Sequence, residues 1–211
     1  PPTAGGKRPI VVGLHGNFDR PEWICGAMAR LVRGRAWLLC PRGTPRRDVP
    51  RSWDRWTFPG RARLLREIEA GVAQLAGRFP GLVDDSAPLT LTGFSLGAIV
   101  SARYAVARPR RFPRLYLVEG SHRVWTYKNM RRFARRGGQA VLFGCGRRGC
   151  RAQSRRICRA LRKLGVACAE VTSPGLGHAY DGPLPRLARP HFERLVAVDP
   201  RWGSPGAGRP E

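Results

Sequence analysis

The sequence predicts an α/β fold, a three-layer α/β/α sandwich around a mainly parallel sheet of about six strands. Six short apolar runs follow one another along the chain, and segments with apolar residues at helical spacing separate them. Each right-handed crossover packs a helix against one face of the sheet, so this alternation indicates parallel strands covered on both faces. A chain of 211 residues is long enough for one such domain.

The first half of the chain supplies three of the strands. The apolar run at 9–14 ends in His15-Gly16, which is typical of a buried parallel strand that enters a loop. A proline-rich stretch at 41–60 is predicted to be a long loop. The elements predicted in this half are strands at 9–14, 36–40 and 89–92 and helices at 21–33 and 61–79.

The second half continues the alternation without a break. The segment 152–164 has Ile157, Leu161 and Leu164 on one stripe and basic residues elsewhere, which is an ordinary amphipathic helix pattern. The elements predicted in this half are strands at 115–118, 140–143 and 166–171 and helices at 95–107, 127–136, 152–164 and 184–198. We therefore expect one domain over residues 1–198 and a loose Gly/Pro-rich tail over 199–211.

The charge of the chain is strongly positive. Its 39 Lys and Arg residues exceed its 14 Asp and Glu residues, which gives a formal net charge of +25. Such a field attracts anionic surfaces, but the arginines are spread over almost every segment and no nucleic-acid-binding signature is present. The sequence thus favours weak attraction to anionic surfaces and no specific nucleic acid. No apolar run approaches the roughly 20 residues of a membrane span, and nothing indicates the oligomeric state.

The six cysteines bear on the compartment. An even count fits disulfides in an exported protein, periplasmic or secreted, and we favour this over a cytoplasmic protein with free thiols. Six cysteines allow 15 pairings, and the sequence does not choose among them. The spacing contains no CxxC pair, so a zinc site is not expected, and neither a metal nor an organic cofactor is implied.

The segment Gly93-Phe94-Ser95-Leu96-Gly97 carries the chemistry. It matches the G-x-S-x-G pattern and lies between a predicted strand and a predicted helix. The glycines make room for a sharp turn that lifts the serine hydroxyl clear of the sheet, and the helix start offers N–H groups to a developing oxyanion. We expect Ser95 to be a nucleophile; the alternative is a glycine-rich turn with a helix-capping serine.

With this motif the chain resembles the α/β-hydrolase superfamily over nearly its whole length. It is similar to compact carboxylesterases and acyl hydrolases that lack the first two strands and a large cap. The resemblance implies that the loop Leu14-His15-Gly16-Asn17 forms part of an oxyanion hole. Its donors would be the N–H of Leu96 and that of Asn17, with the N–H of Phe18 as the alternative, while His15 shapes the loop.

The resemblance also indicates a histidine base. Gly175-Leu-Gly-His178 follows the last predicted strand, where the superfamily keeps its catalytic histidine. His122 follows an earlier strand and His191 lies within the last predicted helix, so both are weaker candidates. We expect His178 to take the proton of Ser95.

The acid is where the sequence departs from the superfamily. The usual aspartate follows the strand at 140–143, but this chain has Gly146-Arg147-Arg148-Gly149 there. Glu119, at the end of the preceding strand, is the best substitute and preserves the order Ser, acid, His. Asp181 is the alternative acid, although it also fits as a cap of the last helix, and the remaining possibilities are another carboxylate or no acid at all.

The substrate is predicted only in outline. Several aromatic residues fall on loops that this fold gathers at one edge, where they either line a pocket or hold their own loops down. The expected substrate-binding residues are Phe18, Trp53, Trp56, Trp125 and Tyr180. We expect a serine hydrolase acting on a small-molecule ester or thioester; the alternatives are a peptidase or acyltransferase with the same residues, or a non-catalytic basic binding module.

Overall fold

Six parallel strands form the central sheet of the computed structural model, which describes residues 6–58 and 60–202. The strands in chain order are β1 (Ile10–Leu14), β2 (Trp37–Leu39), β3 (Thr44–Pro45), β4 (Trp56–Thr57), β5 (Thr90–Phe94), β6 (Arg114–Val118), β7 (Ala140–Cys145) and β8 (Ala167–Thr172). The sheet has the order β2-β1-β5-β6-β7-β8, while β3 and β4 form a separate antiparallel hairpin. The predicted α/β class with about six parallel strands is confirmed.

Helices cover both faces of this sheet. They are α1 (Pro21–Val32), α2 (Arg61–Arg78), α3 (Leu96–Ala107), α4 (Tyr127–Arg135), α5 (Arg148–Lys163) and α6 (Leu184–Val196). Apolar residues of α1 and α6 belong to the core on one face, and those of α2 to α5 belong to the core on the other. The result is the three-layer arrangement that alternating strands and helices require.

The strands explain why the two cores are separate. Successive side chains of a strand point to opposite faces, and β6 illustrates this with Leu115 and Leu117 in one core and Tyr116 and Val118 in the other. All five residues of β6 are buried. A strand buried on both faces therefore appears in the sequence as a continuous apolar run rather than an alternating one.

Two local predictions need correction. The stretch 41–60, predicted as a loop, contains the β3–β4 hairpin and a short 3₁₀ helix, Arg51–Trp53. Strands of two residues are too short to show a period in the sequence. Helix α5 begins at Arg148, four residues before the predicted start, and this places Cys150 in its first turn against the end of β7.

Each of the six cysteines is in a disulfide. Cys25–Cys40 joins α1 to the segment after β2, and Cys158–Cys168 joins α5 to β8. The third bridge, Cys145–Cys150, closes the turn between β7 and α5. Three bridges are typical of a protein from an oxidising compartment.

The predicted tail from residue 199 is packed over its first four residues. Asp199 is buried beside Arg114, and Trp202 is buried with its ring edge against Phe192. The rest of that tail, 203–211, lies outside the described residues. Among the described helices, none is both long and apolar enough to cross a bilayer.

Removing the charge of Asp199 tests how much its contact with Arg114 stabilises the fold. Asp199 accepts a 2.5 Å hydrogen bond from Arg114, which is only 3% exposed. Asp199→Asn leaves a buried guanidinium without its counter-charge, so we expect a loss of about 3 kcal/mol in the free energy of unfolding at pH 7. Urea denaturation with the disulfides intact measures it.

The pH dependence of the same variant is a second readout. Burial raises the pKa of Asp199, but hydrogen bonds from Arg201 and the charges of Arg114 and Arg201 hold it below its ordinary value. Its contribution is therefore present above the unfolded-state pKa of about 4 and is lost as the pH falls through the lower folded-state pKa. The difference in the free energy of unfolding between wild type and Asp199→Asn should shrink as the pH falls. If the two proteins lose stability in parallel over the acid range, this account is contradicted.

Candidate active site

The turn between β5 and α3 has a backbone that few residues adopt. Ser95 has φ 51° and ψ −110°, and its N–H donates to the carbonyl of Val118 in the neighbouring strand. The turn brings α3 so close to β1 that a Cβ on Gly97 would lie 2.0 Å from the Leu14 oxygen. Only glycine fits there, which is the physical reason for the second glycine of the motif.

Ser95 and His178 are hydrogen-bonded. The Ser95 Oγ lies 2.9 Å from Nε2 of His178, although 83 residues separate them in the chain. The imidazole packs against the ring of Phe94, the residue before Ser95, at a centroid distance of 4.8 Å. When the serine hydroxyl donates to Nε2, the imidazole proton resides on Nδ1, on the side of a carboxylate.

That carboxylate belongs to Glu119, which lies directly after β6. Its Oε2 is 3.4 Å from Nδ1 of His178, and its side chain is fully buried. Glu119 has φ 51°, a left-handed conformation that directs its side chain toward the histidine loop at the end of β8. The structure therefore brings Ser95, His178 and Glu119 together in the predicted order.

The turn after β7 holds the Glu119 carboxylate. Oε1 accepts from the backbone N–H groups of Gly146 (2.7 Å) and Arg147 (2.9 Å), and Oε2 accepts from Nε of Arg147 (2.6 Å). The disulfide Cys145–Cys150 closes this turn, which we call the carboxylate cradle, residues 145–150. A Cβ on Gly146 would lie 2.2 Å from the Gly177 oxygen, so the cradle also packs against the histidine loop.

The cradle keeps Glu119 ionised. Burial by itself raises the pKa of a carboxyl group, but the hydrogen bonds from Arg147, Gly146 and His178 outweigh burial and lower the pKa of Glu119 below its ordinary value. A charged carboxylate next to Nδ1 fixes the imidazole tautomer and stabilises the imidazolium form.

The sequence did not reveal the cradle, although it contained a signal. In place of the usual aspartate, the chain has Gly146-Arg147-Arg148-Gly149 flanked by Cys145 and Cys150. Two cysteines that bracket four residues close a tight loop, and such a loop can direct successive N–H groups at one anion.

The other candidate residues lie away from this chain of hydrogen bonds. Asp181 is exposed before α6, where its backbone oxygen accepts from Leu184, and it does not contact His178 among the described residues. His122 bonds to Ser154, and burial lowers its pKa. His191 is on α6 beside Arg194.

Two backbone N–H groups in the segments after β1 and β5 have no partner in the described chain. Among the described residues, no acceptor pairs with the N–H of Leu96, which begins α3, or with that of Asn17 in the loop after β1. The alternative donor was wrong: the N–H of Phe18 is occupied by the Trp56 oxygen at 3.0 Å. Unpaired N–H groups at a helix start are suited to bind an anionic oxygen.

Asp19 holds the loop that carries Asn17. This buried carboxylate accepts from the N–H of Gly16 at 3.0 Å and from the Tyr180 hydroxyl at 3.2 Å. The loop also pairs with β4, because the backbone of Trp56 bonds to both Phe18 and Asp19. The sequence analysis missed Asp19. Its position three residues after Gly16, within reach of that residue's N–H, was the available signal.

His15 ties this loop to the next one. It is fully buried, and its two ring nitrogens lie 2.7 Å and 3.0 Å from the carbonyl oxygens of Gly16 and Arg42. Its ring packs against Phe58 at 4.3 Å. These contacts agree with the expectation that His15 shapes the loop.

The predicted substrate-binding aromatic residues fall into two groups. Phe18 and Trp53 are exposed and pack edge to face at 6.0 Å, while Trp56 and Tyr180 are half-buried beside the Asp19 loop. Trp125 differs: it is 4% exposed and lies in the core against Phe133 and Phe143, so its predicted binding role needs correction. Its place in the loop region after β6 did not reveal that its side chain turns inward.

A group of possible metal ligands lies nearby. One atom each of His122, Cys145 and Cys150 falls within 4.8 Å of the others. Both sulfur atoms are in a disulfide, so neither is a thiolate that could bind a metal.

Solved structures share the fold of this chain. Esterase PE8 aligns at 17% identity over 92% of this chain and 96% of that one, with a TM-score of 0.65. A Bacillus cereus carboxylesterase aligns at 16% identity over 91% of this chain and 92% of that one, with a TM-score of 0.62. An uncharacterized protein from Bacillus cereus ATCC 10987 aligns at 12% identity over 93% of this chain, with a TM-score of 0.67.

These likenesses show the fold, an α/β-hydrolase fold as the sequence indicated. This chain spans 62% of the length of the Bacillus cereus ATCC 10987 protein. No family model matches the sequence, and no curated protein matches it either.

Replacing Arg147 tests the cradle. Arg147→Gln removes the guanidinium hydrogen bond to Oε2 and its positive charge, so we expect the pKa of Glu119 to rise toward its ordinary value. Titration of the Glu side chains by ¹³C NMR measures it. Arg148→Gln is the matched control, since this exposed neighbour has the same charge and no described contact with Glu119. An equal rise in both variants would mean that general charge, not the cradle, sets the pKa.

Proposed function

We propose that this chain is a serine hydrolase that cleaves carboxylic ester or thioester bonds in small molecules, with Ser95 as nucleophile. The observation that carries the proposal is the continuous chain of contacts from Ser95 through His178 to the buried Glu119. It starts at a strained serine turn and lies beside two unpaired N–H groups. This combination provides a base, an oriented imidazole and a place for an oxyanion.

Acylation follows from the geometry. His178 takes the Ser95 hydroxyl proton at Nε2 as Oγ attacks the ester carbonyl carbon. The carbonyl oxygen becomes an oxyanion and accepts from the N–H groups of Leu96 and Asn17. The imidazolium is stabilised by Glu119, and it then protonates the departing alkoxide or thiolate as the carbon–oxygen or carbon–sulfur bond breaks.

Deacylation uses the same groups with water as the nucleophile. His178 takes a proton from water, and the hydroxide attacks the acyl-enzyme carbonyl. The new oxyanion collapses, the bond to Ser95 Oγ breaks, and His178 returns its proton to that oxygen. The products are the carboxylic acid and the free enzyme.

An ester is favoured over the alternative functions for three reasons. Two of the structures with the same fold are an esterase and a carboxylesterase. The case for a non-catalytic module rested on the missing aspartate, and Glu119 supplies a carboxylate at the histidine from another strand. Phe18 and Trp53 form an exposed aromatic flank beside Asn17, which suits a small substrate at an open site.

The three disulfides support export from the cytoplasm.

Labelling with a fluorophosphonate probe tests the nucleophile. We expect wild type to gain one covalent adduct by intact mass and to hydrolyse 4-nitrophenyl esters. Ser95→Ala should gain none, and its turnover should fall by about 10⁴-fold or more, because the acyl-enzyme cannot form. Ser86→Ala, an exposed serine elsewhere, is the control and should behave as wild type. A folded wild type that neither labels nor turns over esters would refute the proposal.

Substitution of the carboxylate tests the third residue. Glu119→Gln keeps the shape but removes the charge that fixes the His178 tautomer, so kcat should fall by roughly 10²- to 10⁴-fold with a smaller change in KM. Asp181→Asn is the matched variant of the alternative acid and should retain activity within about twofold, since Asp181 is exposed away from His178. The opposite pattern would assign the acid to Asp181.

A further inference from the structure

An arginine-rich cavity lies along α3, the helix that begins directly after Ser95. It has a volume of about 740 Å³ and lies between α2, α3 and α4, with residues of the short 3₁₀ helix His122–Val124 at one end. Four arginines from four different elements line it. They are Arg61, Arg103, Arg123 and Arg132.

These four guanidinium groups have no partner. Among the described residues, none of them forms an ion pair or a side-chain hydrogen bond, and no carboxylate lines the cavity. Elsewhere in the chain, Arg114, Arg147 and Arg201 are paired with carboxylates. Four unpaired positive charges around one hollow repel each other, and an anion that enters relieves this repulsion.

A buried hydroxyl group without a partner belongs to the wall of the cavity. Ser121 lines the cavity, is 3% exposed, and its Oγ has no hydrogen-bond partner among the described residues. Buried hydroxyls are nearly always paired, so Ser121 is an exception in the wall of the cavity, with its Oγ itself shielded from solvent. Ser121 has φ 76°, an uncommon conformation for a serine.

The wall of the cavity is connected to the proposed nucleophile through the backbone around Ser95. Ile99 lines the cavity, and its N–H donates to the Ser95 oxygen at 3.1 Å. Ser121 is two residues after Glu119, and the intervening Gly120 packs so tightly that a Cβ would lie 2.6 Å from the same Ser95 oxygen. The cavity therefore begins one helical turn from the residue that would hold the acyl group.

We propose that this cavity binds an anionic group of the substrate, so that the hydrolase acts on esters carried by molecules with phosphate, sulfate or carboxylate groups. The inference rests on the proposed function and names its substrate class. Guanidinium groups bind such anions through charge-assisted hydrogen bonds. Ile99, Val106 and Val124 give the cavity an apolar floor, which suits the carbon skeleton that carries the charge.

A second hollow of about 720 Å³ extends the basic surface around α4. Arg132 lines both hollows, and the second also contains Lys128, Arg131, Arg135 and Arg136. The anionic carrier is thus either a small molecule held in the first cavity or a polymer that continues along α4. Both carriers would present the same anionic groups to the arginines, and binding measurements with a small and a polymeric phosphate distinguish them.

The kinetic test compares two esters with the same leaving group. 4-Nitrophenyl pentanoate is neutral, and mono-4-nitrophenyl glutarate has the same acyl chain length with a terminal carboxylate. The variant combines Arg103→Gln with Arg132→Gln, and its control combines Arg30→Gln with Arg186→Gln. The control residues are exposed on α1 and α6, against the opposite face of the sheet, and lose the same charge.

We expect the cavity variant to lose about tenfold or more in kcat/KM on the glutarate ester, mainly through KM, while its activity on the pentanoate ester stays within about twofold. The control variant should change neither ester by more than about twofold. If both double variants respond alike to the glutarate ester, the cavity inference is overturned while the hydrolase proposal stands. If wild type hydrolyses neither ester, the hydrolase proposal fails.

A binding measurement keeps the cavity testable without turnover. Calorimetry of the Ser95→Ala protein with inorganic pyrophosphate should show binding that weakens about tenfold when Arg103 and Arg132 are replaced and is retained in the Arg30 and Arg186 control. Long-chain polyphosphate distinguishes a polymeric from a small anionic carrier. If polyphosphate binds more tightly per phosphate group than pyrophosphate does, the carrier is polymeric. If the two bind equally per phosphate group, the carrier is small. Equal weakening of pyrophosphate binding in both double variants would overturn the inference.

Discussion

The candidate site depends on a buried carboxylate whose charge is satisfied. The Glu119 side chain has no exposure to solvent, so its ionised form survives only because donors replace the lost water. Three of those donors come from the cradle, the disulfide-closed turn at 145–150, and the fourth is His178. A structural bridge thereby sets the position of the group that orients the imidazole. The geometry of the candidate site therefore depends on a compartment in which the Cys145–Cys150 disulfide can form.

The parallel sheet brings the other loops of the candidate site to one edge. The carboxyl ends of β1, β5, β6, β7 and β8 lie at one edge, so the loops after them meet although they are far apart in sequence. Close approach of these loops is possible because glycine stands where a Cβ would collide, at Gly97 against β1 and at Gly146 against the histidine loop. Asp19 and His15 fix the first of these loops from within. Several short loops thus hold one another in place at this edge.

Two groups of arginines within the positive charge of the chain have different surroundings. Some arginines are counter-ions of structural carboxylates, as Arg114 is for Asp199 and Arg147 is for Glu119. The four around the cavity beside α3 have no carboxylate partner in the described chain and remain available to an external anion. The sequence shows a scattered excess of +25, whereas the fold concentrates part of it beside the proposed nucleophile. Net charge alone therefore does not indicate where an anion would bind.

The sequence by itself determined the α/β class, the order of the main strands and helices, and the turn that carries Ser95, because each of these is encoded in contiguous residues. Apolar runs, helical periods and a five-residue motif need no knowledge of distant contacts. Only the tertiary structure brought Glu119 rather than Asp181 to His178, paired the cysteines, placed the Phe18 N–H on Trp56 and turned Trp125 into the core. Each of these depends on which segments become neighbours when strands pack side by side. A one-dimensional pattern does not contain those distances, since they arise from the register and twist of the whole sheet.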